Sequence, residues 1–301
     1  MEYAIETREL SRAFGKTEAV RRLTLHVPTG SLFAFVGPNG AGKTTTIKVL
    51  MGLLEPSAGS ATVLGRDSRA LKPQDLQRIG YVSENQDLPQ WMTLADLIGY
   101  CRPFYPTWDP AFAVDLAKQL DVPSGKTIKS MSRGMRMKAA LLVSLAYHPE
   151  LLIMDEPFAG LDPLVREELG AGVLELTQQK AWTVFVSSHD IDEVERMADW
   201  IGILNKGRLE LAEPVSSLLG RFRQVDVAVD PTTSLAAGLP SSWLLPAAEG
   251  RVVRFVESEF NDAGFGEKVR AVLPTARDIN AQPMSLRSIF VALARMFRIS
   301  E

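Results

Sequence analysis

The chain has 301 residues, 46% of them hydrophobic, and 33 basic against 36 acidic side chains leave a formal net charge of −3. Such a length can bury one large domain with a smaller one attached, or two of moderate size, and the near balance of charge leaves no broad basic surface of the kind that holds nucleic acid. No apolar run approaches a membrane span, Glu2 and Glu6 stand where a secretory signal would be basic, and the lone Cys101 excludes an internal disulfide and fits a reducing compartment as a packing residue.

Residues 3–36 read as strands and turns: Tyr3 to Leu10, then Val20 to Val27 with alternating character, then the short apolar run Ser31 to Val36. That run ends on Gly37-Pro38-Asn39-Gly40-Ala41-Gly42-Lys43-Thr44-Thr45-Thr46, which fits the phosphate-loop pattern G-x-x-x-x-G-K-[ST] at each fixed position. The three glycines let successive backbone N–H groups turn inward around β- and γ-phosphate oxygens, where a Cβ would interfere. Lys43 adds a point charge and Thr44 offers a hydroxyl to Mg²⁺. A helix expected from Lys43 to about Gly52 aims its positive end at the same anion. Residues 37–45 are therefore expected to hold a nucleoside triphosphate.

Leu54 to Ser60 reads as a turn and Ala61 to Leu64 as a short strand. Residues 68–150 are richer in helical pattern: Thr93 and Asp96 form a capping-box-like start for a helix into Tyr100, and further helices are expected from Pro110 to Leu120 and from Met135 to Tyr147. Strand character returns with Leu151-Leu152-Ile153-Met154, followed by the acids Asp155 and Glu156. The carboxyl end of a strand in an open α/β sheet borders the ligand crevice. Asp155 is thus expected to hold Mg²⁺, directly or through water, and Glu156 to polarise the water that attacks the γ-phosphate. Two acids after a strand often only cap the next helix; the phosphate loop upstream favours the catalytic reading.

Asp162-Pro163 opens a helix to about Gln179. Ala181 to Ser187 is a buried-type strand, and His189-Asp190 precede a helix expected to reach Ala198. Ile201 to Leu204 and Arg208 to Ala212 flank the hairpin signal Asn205-Lys206-Gly207. Beyond Gly220 the character changes. Val225, Val227 and Val229 alternate with polar residues, Val252 to Val256 suggest another strand, and Leu286, Ile289, Phe290, Leu293 and Phe297 recur at helical spacing. The expected division is residues 1–220, with a helical subdomain at about 84–148, and a small α+β appendage at 221–301.

Taken in order, the phosphate loop, Met131-Ser132-Arg133-Gly134-Met135, Asp155-Glu156, Ala159-Gly160-Leu161-Asp162 and Ser188-His189-Asp190 resemble the motifs of ABC transporter ATP-binding subunits, across residues 3–215. The resemblance implies an α/β P-loop NTPase core of ABC ATPase type, with an antiparallel β subdomain and a helical subdomain, that dimerises head to tail around two molecules of ATP. It implies that Lys43, Glu156 and His189 are catalytic, His189 orienting the attacking water. It also implies that Ser132 and Gly134 face the γ-phosphate held by the other subunit and that Asp162 couples the two sites, a role compatible with plain helix capping. Phe14 resembles the aromatic that stacks on adenine, with core packing as its other reading.

Three positions, one at the lid and two in the signature, depart from the family's pattern. Glu84 stands at the lid position after Ile79-Gly80-Tyr81-Val82, where Gln is usual; it can still contact metal or water but brings a negative charge beside phosphates. Arg133 and Met135 replace the commoner Gly and Gln, forms that resemble bacterial exporters in which ATPase and membrane subunits are separate chains. The implied partners are a second copy or another ATPase chain and an integral-membrane permease, at the cytoplasmic face of the cell membrane, with no nucleic acid. Asp87 to Tyr105, including Trp91, Phe104, Tyr105 and the nearby Trp108, is the expected docking surface, although a helical subdomain needs aromatics for its own packing as well.

The alternative is a soluble ABC ATPase acting on ribosomes or nucleic acid. Such forms usually carry two nucleotide domains or a long coiled insertion, and this chain has one phosphate loop. Asn205-Lys206-Gly207-Arg208 approaches the guanine-reading pattern Asn-Lys-x-Asp, but Arg208 replaces the acid that would bind the base.

Overall fold

The computed structural model describes residues 2–299 except 85, 181, 232, 234, 236 and 237. Ala181, the expected first residue of its strand, thus lies outside the described residues. The chain forms two compact units, Met1–Ala212 and Glu213–Glu301, so the division falls before the expected Gly220.

In the first unit, β1 (Tyr3–Phe14), β2 (Thr17–Pro28), β4 (Ala58–Val63) and β5 (Arg66–Asp67) make an antiparallel sheet in the order β2-β1-β4-β5. Its alternating residues Leu23, Leu25 and Val27 point into a core shared with Phe33, Phe35 and Ile47. A second sheet contains β3 (Leu32–Val36), β6 (Ile79–Ser83), β7 (Leu151–Asp155), β8 (Thr183–Ser188), β9 (Trp200–Asn205) and β10 (Arg208–Pro214), in the order β10-β9-β3-β8-β7-β6. The pairs β3/β8, β3/β9, β7/β8 and β6/β7 are parallel. β3, β7 and β8 are buried along their whole length, which is why these segments are almost continuously apolar rather than alternating.

Helix α1 (Lys43–Leu50) follows β3, and the single turn α2 (Pro73–Leu76) precedes β6. Between β6 and β7 lie α3 (Leu94–Cys101), α4 (Pro110–Gln119) and α5 (Arg133–Leu145), and α6 (Pro163–Lys180) follows β7. Each begins where a side chain can satisfy the free backbone donors of the first turn. Thr93 and Asp96 form a reciprocal capping box, with Oγ1 accepting from Asp96 N at 3.1 Å and Oδ2 accepting from Thr93 N at 2.9 Å. Asp109 accepts from Phe112 N, Ser132 from Met135 N and Asp162 from Val165 N.

Two aromatics expected at a docking surface belong instead to the packing. Trp108 is only 9% exposed, and Tyr105 stacks on Tyr147 with ring centroids 3.8 Å apart. Helices this short need large rings to close a core between them.

The second unit contains α7 (Val215–Arg221), β11 (Arg223–Ala228), β12 (Trp243–Glu249), β13 (Val252–Glu257), α8 (Phe265–Val272), β14 (Ile279–Pro283) and α9 (Leu286–Ile299). Its antiparallel sheet runs β12-β13-β11-β14, and Val225, Val227, Val253 and Phe255 meet Phe265 and Val269 in its core. Among the described residues no helix is long and apolar enough to cross a membrane.

The helix expected from His189-Asp190 to Ala198 does not form as one element. A 3₁₀ turn at Ile191–Glu193 is followed by separate turns, closed by Val194 N to Ile191 O at 3.1 Å and Ala198 N to Val194 O at 3.0 Å. Local side-chain bonds compete with the helix here: Asp190 accepts from Asp192 N at 3.1 Å, and the Glu193 carboxyl turns inward to Ser188 Oγ and lies 3.4 Å from Arg166 Nη1. That carboxyl is 2% exposed. Burial pushes its pKa up, against the opposing pull of Ser188 and Arg166.

The folded chain therefore holds the Glu193 proton more tightly than the unfolded chain. Stability from this group is complete below the unfolded pKa of about 4.3 and is lost as pH rises through the higher folded value. Glu193→Gln keeps the shape and removes the charge. It is expected to raise Tm at pH 8 relative to wild type, with the gain shrinking toward pH 4. Equal Tm values for variant and wild type at pH 8, read by circular dichroism, would reject this account.

Candidate active site

The register of the parallel sheet lines up four strand ends. Val36 lies opposite Ser188, Ser187 opposite Asp155, and Asp155 opposite Ser83. The next residues along each strand are Gly37, His189, Glu156 and Glu84, so segments far apart in the chain meet at one edge of the sheet, as the crevice rule for α/β sheets requires.

At the end of β3 the chain turns into the phosphate loop. Gly37 N donates to Ser188 O at 3.2 Å and Gly207 N donates to Ala41 O at 2.9 Å. Gly42 sits at φ +105°, and a β-carbon there would stand 2.3 Å from Ala19 O, so only glycine fits. Gly42 also begins α1 with no side-chain cap, which leaves the first-turn donors of Lys43, Thr44 and Thr45 facing outward to an anion. Pro38, Asn39, Gly40 and Thr44 are exposed. Lys43 is buried and its Nζ donates to Gly37 O at 2.6 Å and Pro38 O at 3.1 Å, and lies 3.1 Å from Glu156 Oε1.

Thr44 Oγ1 donates to Asp155 Oδ1 at 3.1 Å, and Ser187 Oγ donates to the same oxygen at 2.8 Å. Burial raises the pKa of Asp155, helped by the neighbouring Glu156 charge; bonds from Ser187 and Thr44 and the charge of Lys43 pull it down. Glu156 has φ +53°, a left-handed conformation that costs a non-glycine residue about 1–3 kcal/mol. Its backbone N donates to Ser187 Oγ at 3.0 Å. Its Oε2 lies 2.7 Å from His189 Nδ1. The Glu156 carboxylate is thereby held between Lys43 on one oxygen and His189 on the other.

These groups fit a polyphosphate and a hard cation. Among the described residues no cluster of three or more His, Cys, Asp or Glu makes a complete protein cage. Thr44 and Asp155 suit a cation that takes its remaining oxygens from phosphate and water.

The other expected residues fall into place unevenly. Phe14 is exposed, with the Arg12 guanidinium 4.6 Å from its ring centroid, and lies at the tip of the β1–β2 hairpin whose Ala19 abuts Gly42. Ser132 and Asp162 are exposed helix caps. Gly134 has a reason for being small within its own chain, since a β-carbon there would stand 2.6 Å from Val165 Cγ1 on α6. Glu84 brings its backbone to the site, with N donating to Asp155 O at 3.0 Å, but its carboxylate bonds to Arg133 rather than to the Thr44–Asp155 pair. Sequence reasoning missed Ser187. One hydroxyl there bonds the Asp155 carboxylate and the Glu156 backbone N–H, and the only signal was a pair of serines closing an otherwise apolar strand.

A sequence profile of the ABC transporter family matches residues 20–159. The bacitracin transport ATP-binding protein BcrA of Bacillus licheniformis is 32% identical over 234 residues, 74% of each chain. The chain belongs to the ABC transporter family. As an ABC protein of this kind it binds and hydrolyses ATP as the ATP-binding subunit of a transporter. The ABC transporter ATP-binding protein YcbN of Bacillus subtilis (strain 168) is 27% identical over 304 residues and 97% of each chain, so this likeness extends through the second unit. The dimeric post-hydrolysis structure of the ATP-binding cassette MJ0796, bound to ADP and Pi, shares the fold at TM-score 0.63, over 70% of this chain and 98% of that one, with 20% identity. The alternative of a ribosomal or nucleic-acid ABC ATPase is not favoured beside transport relatives.

Ser187→Ala removes the hydroxyl that bonds the Asp155 carboxylate and the Glu156 backbone N–H without touching the phosphate loop. Loss of such an outer partner typically costs about ten- to hundredfold in activity. ATP turnover is expected to fall by about that much while binding of a fluorescent ATP analogue changes little; unaltered turnover would remove Ser187 from the site.

Proposed function

We propose that this ABC protein works as a head-to-tail dimer, homo- or heteromeric, with each ATP held between the phosphate loop of one chain and Ser132 to Gly134 of the other. It powers an integral-membrane permease of exporter type from the cytoplasmic face of the membrane. The observation that carries the reading is the Glu156 carboxylate, gripped by Lys43 and His189 at the aligned ends of β3, β7 and β8. Support for export comes from the kinship with a bacitracin transport protein, and support for dimerisation from the dimeric cassette of the same fold.

In this reading Lys43 and the first-turn N–H groups of α1 bind the β- and γ-phosphates. Thr44 and Asp155 hold Mg²⁺, which would neutralise charge on the phosphoryl oxygens. Glu84 is left out of that metal set, because its carboxylate is bonded to Arg133. When phosphate takes up the Lys43 charge, the Oε1 of Glu156 is released to accept a proton from water. His189, bonded to Oε2, keeps the carboxylate turned toward that water. Ser132 and Asp162, exposed at the starts of α5 and α6, are the residues a second chain can meet. Phe14 offers its open face to adenine. Residues 221–301 are accessory to the ATPase core.

For the permease, Trp91 at 75% exposure, together with Tyr100 and Phe104, supplies exposed aromatic surface on the helical portion. Large exposed aromatics mark interface centres. Trp91→Ala is expected to reduce recovery of the protein with membranes that carry its permease while leaving ATP affinity unchanged, and equal loss of both would contradict this docking role.

The catalytic assignment has its own experiment. Glu156→Gln keeps the hydrogen-bonding shape and loses the base, so ATP turnover should drop at least about a hundredfold. The ATP-bound dimer should then accumulate, measured by light scattering. Normal turnover in this variant would discard the assignment.

A further inference from the structure

Arg133 stands where three segments of one chain come together. It is the first residue of α5, immediately after the cap Ser132, and its Nη2 donates to Glu84 Oε1. A β-carbon on Gly160 would lie 2.5 Å from Arg133 Nη1, so the guanidinium rests on the backbone leading to Asp162. Glu84 in turn bonds through its backbone to the end of β7, with N donating to Asp155 O at 3.0 Å. Beside the pair, a cavity of about 240 Å³ lined by Ser83, Leu88, Met137 and Ala140 separates the segment after β6 from α5. Glu84 and Arg133 are themselves among its lining residues, so the ion pair lies where packing leaves a gap. Arg136 lines the same cavity, yet the Glu84 carboxylate is bonded to Arg133.

We propose that Glu84 and Arg133 are positioning residues, a clasp that fixes the Ser132–Gly134 loop serving one ATP to the Asp155 strand end serving the other, so that the two sites of the dimer act together. This rests on the head-to-tail reading. Without the clasp, the start of α5 is located by its own cap and by Gly134 against Val165, neither of which reaches the Asp155 strand.

The test uses the full-length protein and the variants Glu84→Gln, Arg133→Gln, their double, and the exchange Glu84→Arg with Arg133→Glu. At 42% and 30% side-chain exposure, the pair is partly screened, so each single change should lower kcat roughly two- to fivefold. Affinity for a fluorescent ATP analogue should hold in Glu84→Gln, and the Hill coefficient for ATP should fall toward one in both single variants. The double variant should be no worse than either single, and the exchange should recover cooperativity. Additive losses in the double variant, or lost metal affinity in Glu84→Gln with cooperativity intact, would overturn the clasp. A wild type that neither dimerises with ATP nor hydrolyses it cooperatively would overturn the dimer reading together with the clasp, whereas a cooperative wild type with additive variants overturns the clasp alone.

Discussion

The site depends on the hydrogen-bond register of β6, β7, β8 and β3. Parallel ladders place neighbouring strands about 4.8 Å apart, and here they end level, at Ser83, Asp155, Ser187 with Ser188, and Val36. Each functional group sits at or one residue past that line. A slip of one residue in β7 would turn Asp155 to the other face of the sheet and separate it from Thr44 and Ser187. The continuous burial of β3, β7 and β8 guards against such a slip, because the apolar ends of the runs would then meet solvent.

On that frame the charges are nearly self-compensating. Lys43 is buried but is met by two carbonyls and by Glu156. Asp155 is buried and acquires bonds from two hydroxyls. Glu156 is held at both oxygens and bent into a left-handed backbone conformation. Unpaired, any one of these charges would cost several kcal/mol to bury. Together they form a polar cluster, and in the proposed mechanism an arriving phosphate competes with Glu156 for Lys43, so that binding would release the base.

Much of this was legible in the residues. The strand, loop and helix around Gly37 to Leu50 follow from an apolar run, a glycine pattern and an uncapped helix start. The starts of α3, α4 and α6 follow from Thr93 with Asp96, from Pro110, and from Asp162 with Pro163. What escaped has physical causes. The turns after Glu193 replace a helix because Ser188 at the end of β8 and Arg166 on α6 draw the Glu193 side chain inward. Strands β12 and β14 went unread because both are sheet edges: β12 loses its alternation at a register shift between Leu244 and Ala247, and β14 presents only Ile279 and Ala281 to the core. Tyr105 and Trp108 carried no mark distinguishing interface from interior.

The amino-acid sequence by itself determined that a phosphate loop, two strand-end acids and a histidine exist in one α/β chain, because each is a local pattern enforced by backbone geometry within about ten residues. The tertiary structure alone decided which of them touch. Ser187 as the shared partner of the Asp155 carboxylate and the Glu156 backbone, the Glu84 carboxylate on Arg133, and Gly134 against Val165 are contacts between segments tens of residues apart. They are fixed by strand register and helix packing, quantities that no local run of residues encodes.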